Sequence, residues 1–208
     1  PVGPSCAFVA WNFPGTNVIR KIAGALAAGC SILIKPSEET PGTAVAIARC
    51  FQDAGLPDGV LNLVFGLPDE VSRKVLGSQI PKKMSFTGSI PVGKHLQKLA
   101  AETMKRCTME LGGHAPVLIF EDADLQNAIK ATAGFKFRNA GQVCISPTRF
   151  YIQEKVYKSF VEGFTEFTKA IKVGNGLEDG VQMGPLIDTR RLTVMKNFVA
   201  DAQNYGAN

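Results

Sequence analysis

Two histidines, a single tryptophan and no Cys-x-x-Cys pair are the first constraints in this sequence of 208 residues. A structural zinc site needs four thiolate or imidazole ligands at close spacing, and that set is missing, so no metal site is expected. The five cysteines, at positions 6, 30, 50, 107 and 144, are odd in number and far apart. Cys6, Cys30, Cys50 and Cys107 each lie within apolar runs, a pattern of reduced thiols in a cytoplasmic compartment and not of a disulfide framework. No uninterrupted apolar run is long enough for a membrane helix, and no signal-peptide pattern is present, so no membrane association is expected. The 23 basic residues outnumber the 18 acidic ones, for a net charge of +5, but they are scattered. Their densest clusters, Lys82-Lys83 and Lys105-Arg106, lack interleaved aromatics, which argues against nucleic acid and suits a small anionic ligand. There is no Gly-x-Gly-x-x-Gly fingerprint, no internal repeat and no low-complexity segment.

What is present alternates regularly. Cys6 to Trp11 reads as a buried strand. Pro14-Gly15-Thr16-Asn17 turns into a helix carrying Val18, Ile19, Ile22, Ala23, Leu26 and Ala27, which stops at Gly29. Ser31 to Lys35 is a second strand, and Thr40-Pro41 opens a helix through Phe51. Val60 to Phe65 is the third strand, followed by a short helix from Asp69. Lys83 to Phe86 is the fourth, followed by a helix from Val92 to Met104. Strands and helices at this spacing predict an α/β fold with a parallel sheet and helices on its faces, and with any ligand along the strand C-termini. Thr108 to Leu111 closes this block. A second αβ block has strands at Val117 to Phe120 and Arg149 to Gln153 around a helix from Asp122 to Phe137. An aromatic helix follows with Val156, Phe160, Val161, Phe164, Phe167 and Ile171 on one face, and a last helix spans Thr189 to Asn204. The domain break is expected at Gly112-Gly113-His114, giving domains 1–113 and 114–208. Both ends look cut, which reads as an interior segment of a longer protein.

Four places can carry chemistry. Cys144 lies at a glycine-flanked junction between the helix ending at Phe137 and the strand that follows Thr148. Such a junction can expose a sulfur while backbone N–H groups point at whatever bonds to it, as a thiolate nucleophile needs; a small buried apolar side chain is the other reading. Gly88-Ser-Ile-Pro-Val-Gly93 leads into a helix whose N-terminus could receive a phosphate. The following Lys94 nearly completes a P-loop, but His95 stands where the magnesium-holding Ser or Thr belongs. Lys35-Pro36-Ser37-Glu38 ends a strand at the ligand edge, where an acid can accept hydrogen bonds from ribose hydroxyls and repel a 2′-phosphate; the other reading is a solvated Lys–Glu turn, the more common fate of such residues. Glu110, in the apolar surround Met109-Glu110-Leu111, is expected to have a raised pKa suited to a general base, unless it faces water at a sheet edge. His114 and His95 have no partner motif and read as structural.

Taken together, Ala10-Trp11-Asn12-Phe13-Pro14, Lys35-Pro36-Ser37-Glu38, Glu110-Leu111-Gly112-Gly113 and Asn139-Ala140-Gly141-Gln142-Val143-Cys144 resemble the signatures of the aldehyde dehydrogenase superfamily, in the family's order. Gly55-Leu56-Pro57-Asp58-Gly59-Val60 and Phe86-Thr87-Gly88-Ser89 match as well, so the resemblance covers essentially the whole chain. It implies a Rossmann-like coenzyme domain followed by the first part of a catalytic α/β domain. It also implies Cys144 as nucleophile, Asn12 as oxyanion donor and Glu110 as the base that hydrolyses a thioester. Lys35, Ser37 and Glu38 would lie at the adenosine ribose of the cofactor, with Trp11, Gly66, Gly88 and Ser89 near its phosphates. Glu38 resembles the NAD-preferring form, with NADP the less expected cofactor.

Phe137-Arg138-Asn139 and Val18-Ile19-Arg20-Lys21 are similar to the succinate-semialdehyde branch. There, arginines at these positions hold the distal carboxylate of the aldehyde substrate, as two guanidinium forks suit. The stretch from Val143 to Arg149 leans towards 2-oxoglutarate-semialdehyde relatives. Ser146 stands where some relatives carry a second cysteine of a redox switch. The resemblance further implies a homo-oligomeric parent protein. Two rival readings remain: a segment that only binds dinucleotide, and a P-loop-like nucleotide hydrolase.

Overall fold

The computed structural model describes residues 1–207, which form two compact units, one of Pro1–Gly112 and one that starts at Gly113.

The first unit is a five-stranded sheet of β1 (Ser5–Phe8), β2 (Ile32–Lys35), β3 (Leu61–Leu63), β4 (Lys83–Thr87) and β5 (Arg106–Glu110) in the order β3-β2-β1-β4-β5. Every neighbouring pair is parallel, as the alternation predicts. The strands are shorter than their apolar runs because the register ends before Val9-Ala10-Trp11 and before Val64-Phe65. Side-chain alternation splits the core in two. Ala7, Val9, Ile32 and Ile34 face α1 (Pro14–Ala27) and α2 (Pro41–Asp53), whose Val18, Ile22 and Ala44 they bury. Cys6, Phe8, Met84 and Phe86 face α3 (Pro68–Gly77) and α4 (Ile90–Ala101), meeting Leu76, Leu96 and Ala100. Each of the four helices has proline in its first turn, where a missing N–H costs nothing. Thr40 stands at the N-cap of α2, but its side chain makes no cap bond.

Cys50 is exposed on α2, in contrast to the apolar setting its neighbours suggested. Cys6 is 1% exposed, and its Sγ donates to the Lys83 carbonyl at 3.5 Å. Burial pushes this thiol up from 9.0 to about 12, against the pull of the nearby Lys105 ammonium and with a smaller push from Cys107. The folded state therefore holds this proton more tightly than the unfolded one. The associated stability is complete below pH 9 and is lost as pH rises towards 12, by at most about 4 kcal/mol. Urea midpoints should fall more steeply between pH 9 and 11 for the natural chain than for Cys6→Ala. Parallel falls would remove Cys6 as the cause.

The second unit pairs β6 (Val117–Ile119) with β7 (Phe150–Ile152) in parallel, joined through α5 (Leu125–Phe137). The Asp124 carboxylate caps α5 by accepting from the Asn127 N–H at 3.1 Å. On α6 (Glu154–Lys169) the predicted apolar face is largely observed. Phe160, tilted, and Phe164, edge-on, pack against Phe150 of β7 at ring centroid distances of 6.1 and 5.4 Å. Val161 is 40% exposed, since one helical residue past Phe160 turns about 100° off the face, and Ile171 lies beyond the helix end. The final helix, α7 (Thr189–Asn204), has no buried residue. Among the described residues, no helix is long and apolar enough to cross a membrane.

Candidate active site

In the first unit, strand order reverses between β1 and β4: β2 and β3 lie to one side, β5 to the other. That is where a doubly wound sheet opens a crevice at its strand C-termini. A cleft of about 350 Å³ lies there, lined by Val9 and Ala10 after β1, Lys35 at the end of β2, and Thr87-Gly88-Ser89 at the end of β4. Lys35 is 6% exposed and its ammonium donates to the half-exposed Glu38 carboxylate and, at 3.3 Å, to the Pro36 carbonyl. Buried Ser37 donates to Glu39. This end of the cleft therefore carries a buried cation paired with a carboxylate that is partly open to solvent.

A Cβ at Gly88 would stand 2.4 Å from Phe86 Cζ, so a larger residue there would have to displace the buried Phe86 ring. Ser89 occupies the N-cap of α4, with no cap bond from its own hydroxyl, so the positive end of α4 opens at the cleft. Gly66 precedes α3 with φ +146°. Neither Gly66 nor the half-buried Trp11 is among the residues that line the cleft. The cleft also uses residues given no role from sequence. Asp69 accepts from Arg73 at 2.7 Å and pairs with His95 at 2.9 Å, and both Asp69 and His95 line the wall. Hydrogen bonds from Arg73 and His95 hold the Asp69 carboxyl below the usual carboxylate range. A partner 26 residues away leaves no local pattern, which is why His95 reads as isolated in the sequence.

Asn12 is half-buried, and its Oδ1 accepts from Asn17 Nδ2 at 3.3 Å. Glu110 ends the edge strand β5, where Arg106, Thr108 and Glu110 alternate outward. It is exposed, so the apolar surround inferred from Met109 and Leu111 is not built here: those two side chains pack towards the opposite face. The same face carries Lys21 of α1, whose ammonium burial pushes down while Glu110 draws it up. Arg20, exposed on α1, lines a separate cavity of about 610 Å³ together with Lys21, Lys83 and Arg106.

In the second unit, α5 ends in a 3₁₀ turn over Arg138–Gly141 whose backbone crosses into the left-handed region, with φ of 51° at Asn139, 55° at Ala140 and 74° at Gly141. For alanine this costs roughly 1–2 kcal/mol. The chain then reaches Cys144, half-buried in a turn closed by Ser146 N–H donating to Val143 O at 3.1 Å. Ser146 is 3% exposed, and its hydroxyl donates to the Lys136 carbonyl at 3.3 Å. Arg138, exposed at the end of α5, is on this same connection. The expected junction between helix and strand is thus observed, with a left-handed turn that composition alone does not show.

The aldehyde dehydrogenase family model matches residues 1–208. The chain belongs to that family. It is 45% identical over 207 residues to 4-(hydroxymethyl)benzenesulfonate dehydrogenase TsaD1 of Comamonas testosteroni, covering all of this chain and 43% of that one. It is 40% identical over 207 residues to the Escherichia coli succinate-semialdehyde dehydrogenase [NADP(+)] GabD, again covering 100% and 43%. The crystal structure of succinate-semialdehyde dehydrogenase from Burkholderia pseudomallei superposes with a TM-score of 0.97 at 41% identity, over 99% of this chain and 43% of that one. This aldehyde dehydrogenase chain therefore spans about two fifths of the length of these relatives, and its α/β architecture is the one they share over that length.

Proposed function

We propose that this chain supplies the dinucleotide cleft and the nucleophile of an NAD-dependent oxidation that converts an acidic semialdehyde, succinate or 2-oxoglutarate semialdehyde, to the carboxylic acid. The observation that carries the reading is the connection from Arg138 to Ser146, which presents a half-buried cysteine on a turn fixed at both sides. In this reading the Cys144 thiolate attacks the aldehyde carbon. The Cys144 backbone N–H and the Asn12 side-chain amide stabilise the developing oxyanion. Bound NAD supplies the hydride acceptor. Glu110 then takes a proton from the water that hydrolyses the Cys144 thioester and releases the acid.

Support for the cofactor comes from the geometry of the first unit: a switch-point cleft, a glycine at position 88 packed close against the Phe86 ring, and the N-terminus of α4. Lys35 and Glu38 would hold the ribose hydroxyls, Ser37 would support them, and Gly66, Gly88, Ser89 and Trp11 would stand near the phosphates. The exposed Glu38 carboxylate favours NAD, since a 2′-phosphate would meet its charge; the NADP-dependent relative is the reason to measure both. Arg138 and Arg20 are the proposed anion-holding residues. Support comes from two relatives named for compounds with an anionic group remote from the reacting carbon, one a sulfonate and one a carboxylate.

The deciding experiment measures kcat/KM for the complete protein and for the 208-residue chain over succinate, 2-oxoglutarate and glutarate semialdehydes, a sulfonated aldehyde and an uncharged one. Turnover of the acidic aldehydes above the neutral one is expected. Activity of the complete protein alone would leave the chain as a dinucleotide binder. Arg138→Ala should lower kcat/KM for acidic aldehydes about 10- to 100-fold, the worth of a charged hydrogen-bonded pair, and change the neutral aldehyde little. Equal losses on both would remove Arg138 from substrate recognition.

A further inference from the structure

We propose that Gln142 is a positioning residue for Cys144, its side-chain amide locking the left-handed turn ahead of the sulfur to the backbone at Ile187. The inference rests on the reading of Cys144 as the nucleophile and adds what holds that sulfur in place.

Three consecutive residues in the left-handed region, two of them not glycine, persist only where neighbouring structure over-determines them. Gln142 supplies that restraint with both ends of its amide. Its Nε2 donates to the Asn139 carbonyl at 3.0 Å, and the same oxygen accepts from the Gln142 backbone N–H at 3.1 Å. Asn139 Nδ2 returns a hydrogen bond to the Gln142 carbonyl at 3.4 Å, closing the turn on itself. The other end, Oε1, accepts from the Ile187 N–H at 3.0 Å, across 45 residues of sequence. The turn is thereby tied to a distant segment of the same unit by a bond that needs an acceptor, while the turn itself needs a donor. An amide offers both; a carboxylate offers only acceptors.

Cys144 lies between this lock and the buried Ser146, whose hydroxyl ties the far side to the end of α5. The sulfur therefore has an anchor two residues away on each side. Loss of the Gln142 anchor frees the side where the backbone is under strain. A displacement of the reacting atom by about 1 Å is enough to cost on the order of 100-fold in rate. The cofactor residues belong to the first unit, so their affinity for NAD should not register the change.

The test uses Gln142→Glu, which keeps the bond to Ile187 and sets a carboxylate oxygen against the Asn139 carbonyl, and Gln142→Met, which keeps the shape and removes both bonds. In the complete protein both variants should lower kcat about 10- to 100-fold with the NAD dissociation constant within twofold of the natural value. Iodoacetamide labelling of Cys144, followed by peptide mass spectrometry across pH 6–10, gives a second readout, since unfolding alone can only speed it. Gln142→Met, which adds no charge, should slow labelling across that range, and Gln142→Glu should slow it as well. If the folded fraction of either variant shows natural kcat and a natural labelling profile, the positioning role is overturned. If Cys144→Ala itself retains turnover, the nucleophile reading fails first, and the two failures are distinct.

Discussion

Replacing Cys144 with alanine should lower aldehyde oxidation by roughly 10⁴-fold or more, the scale seen when a covalent nucleophile is removed from an enzyme that acts through it. Cys144 is the one sulfur on the connection from Arg138 to Ser146 that can form a thioester, and Ser146 offers no substitute nucleophile because it is buried with its hydroxyl committed to the Lys136 carbonyl. NAD binding should survive, because the cleft at the ends of β1, β2 and β4 belongs to a unit that does not include position 144. Steady-state NADH formation measures the loss, and equilibrium dialysis with NAD measures what is retained. Turnover at the natural rate in the alanine variant would sink the mechanism. Loss of both activity and binding would mean that the substitution acts through folding.

Glu110→Gln should behave differently in time. If Glu110 activates the hydrolytic water, the variant still forms the thioester and releases one equivalent of NADH, then stalls. Steady-state kcat should fall about 10²- to 10⁴-fold, the usual worth of a general base, while a rapid first-turnover burst remains. Stopped-flow absorbance separates the two phases, and mass spectrometry of the quenched protein should find the acyl group on Cys144. A variant that loses burst and steady state together would place Glu110 before the thioester and not after it. The exposure of Glu110 on the edge of β5 bears on this reading. A base that water can reach is suited to a hydrolytic step, although the apolar surround inferred from its neighbours is not what equips it.

The parallel sheet was legible because its central strands β1 and β2 are buried on both faces and read as apolar runs, and because proline and glycine punctuate the chain between strands. Pro14, Pro41, Pro68 and Pro91 each open a helix of the first unit. Strand ends were less legible, since Val9-Ala10-Trp11 are as apolar as the paired residues and only the register separates them. Among the candidate site residues, Lys35 and Glu38 are three apart and so betray their pairing to a reader of sequence. The Asp69–His95 pair and the Gln142–Ile187 bond join residues 26 and 45 positions apart, and no periodicity announces such contacts. Gln142 stands inside the motif that carried the family resemblance, yet its part in the turn shows only when the backbone is seen to run left-handed.

The solitary indole gives the chain a built-in optical label. Trp11 follows Ala10, which lines the cleft at the ends of β1, β2 and β4, and it is the single tryptophan of these 208 residues. Excitation at the red edge of the protein band therefore samples one place in the molecule. Reduced nicotinamide dinucleotide absorbs where tryptophan emits, so cofactor arriving in that cleft should quench a single, structurally assigned donor. Binding to the first unit then becomes readable in variants whose chemistry has been silenced elsewhere.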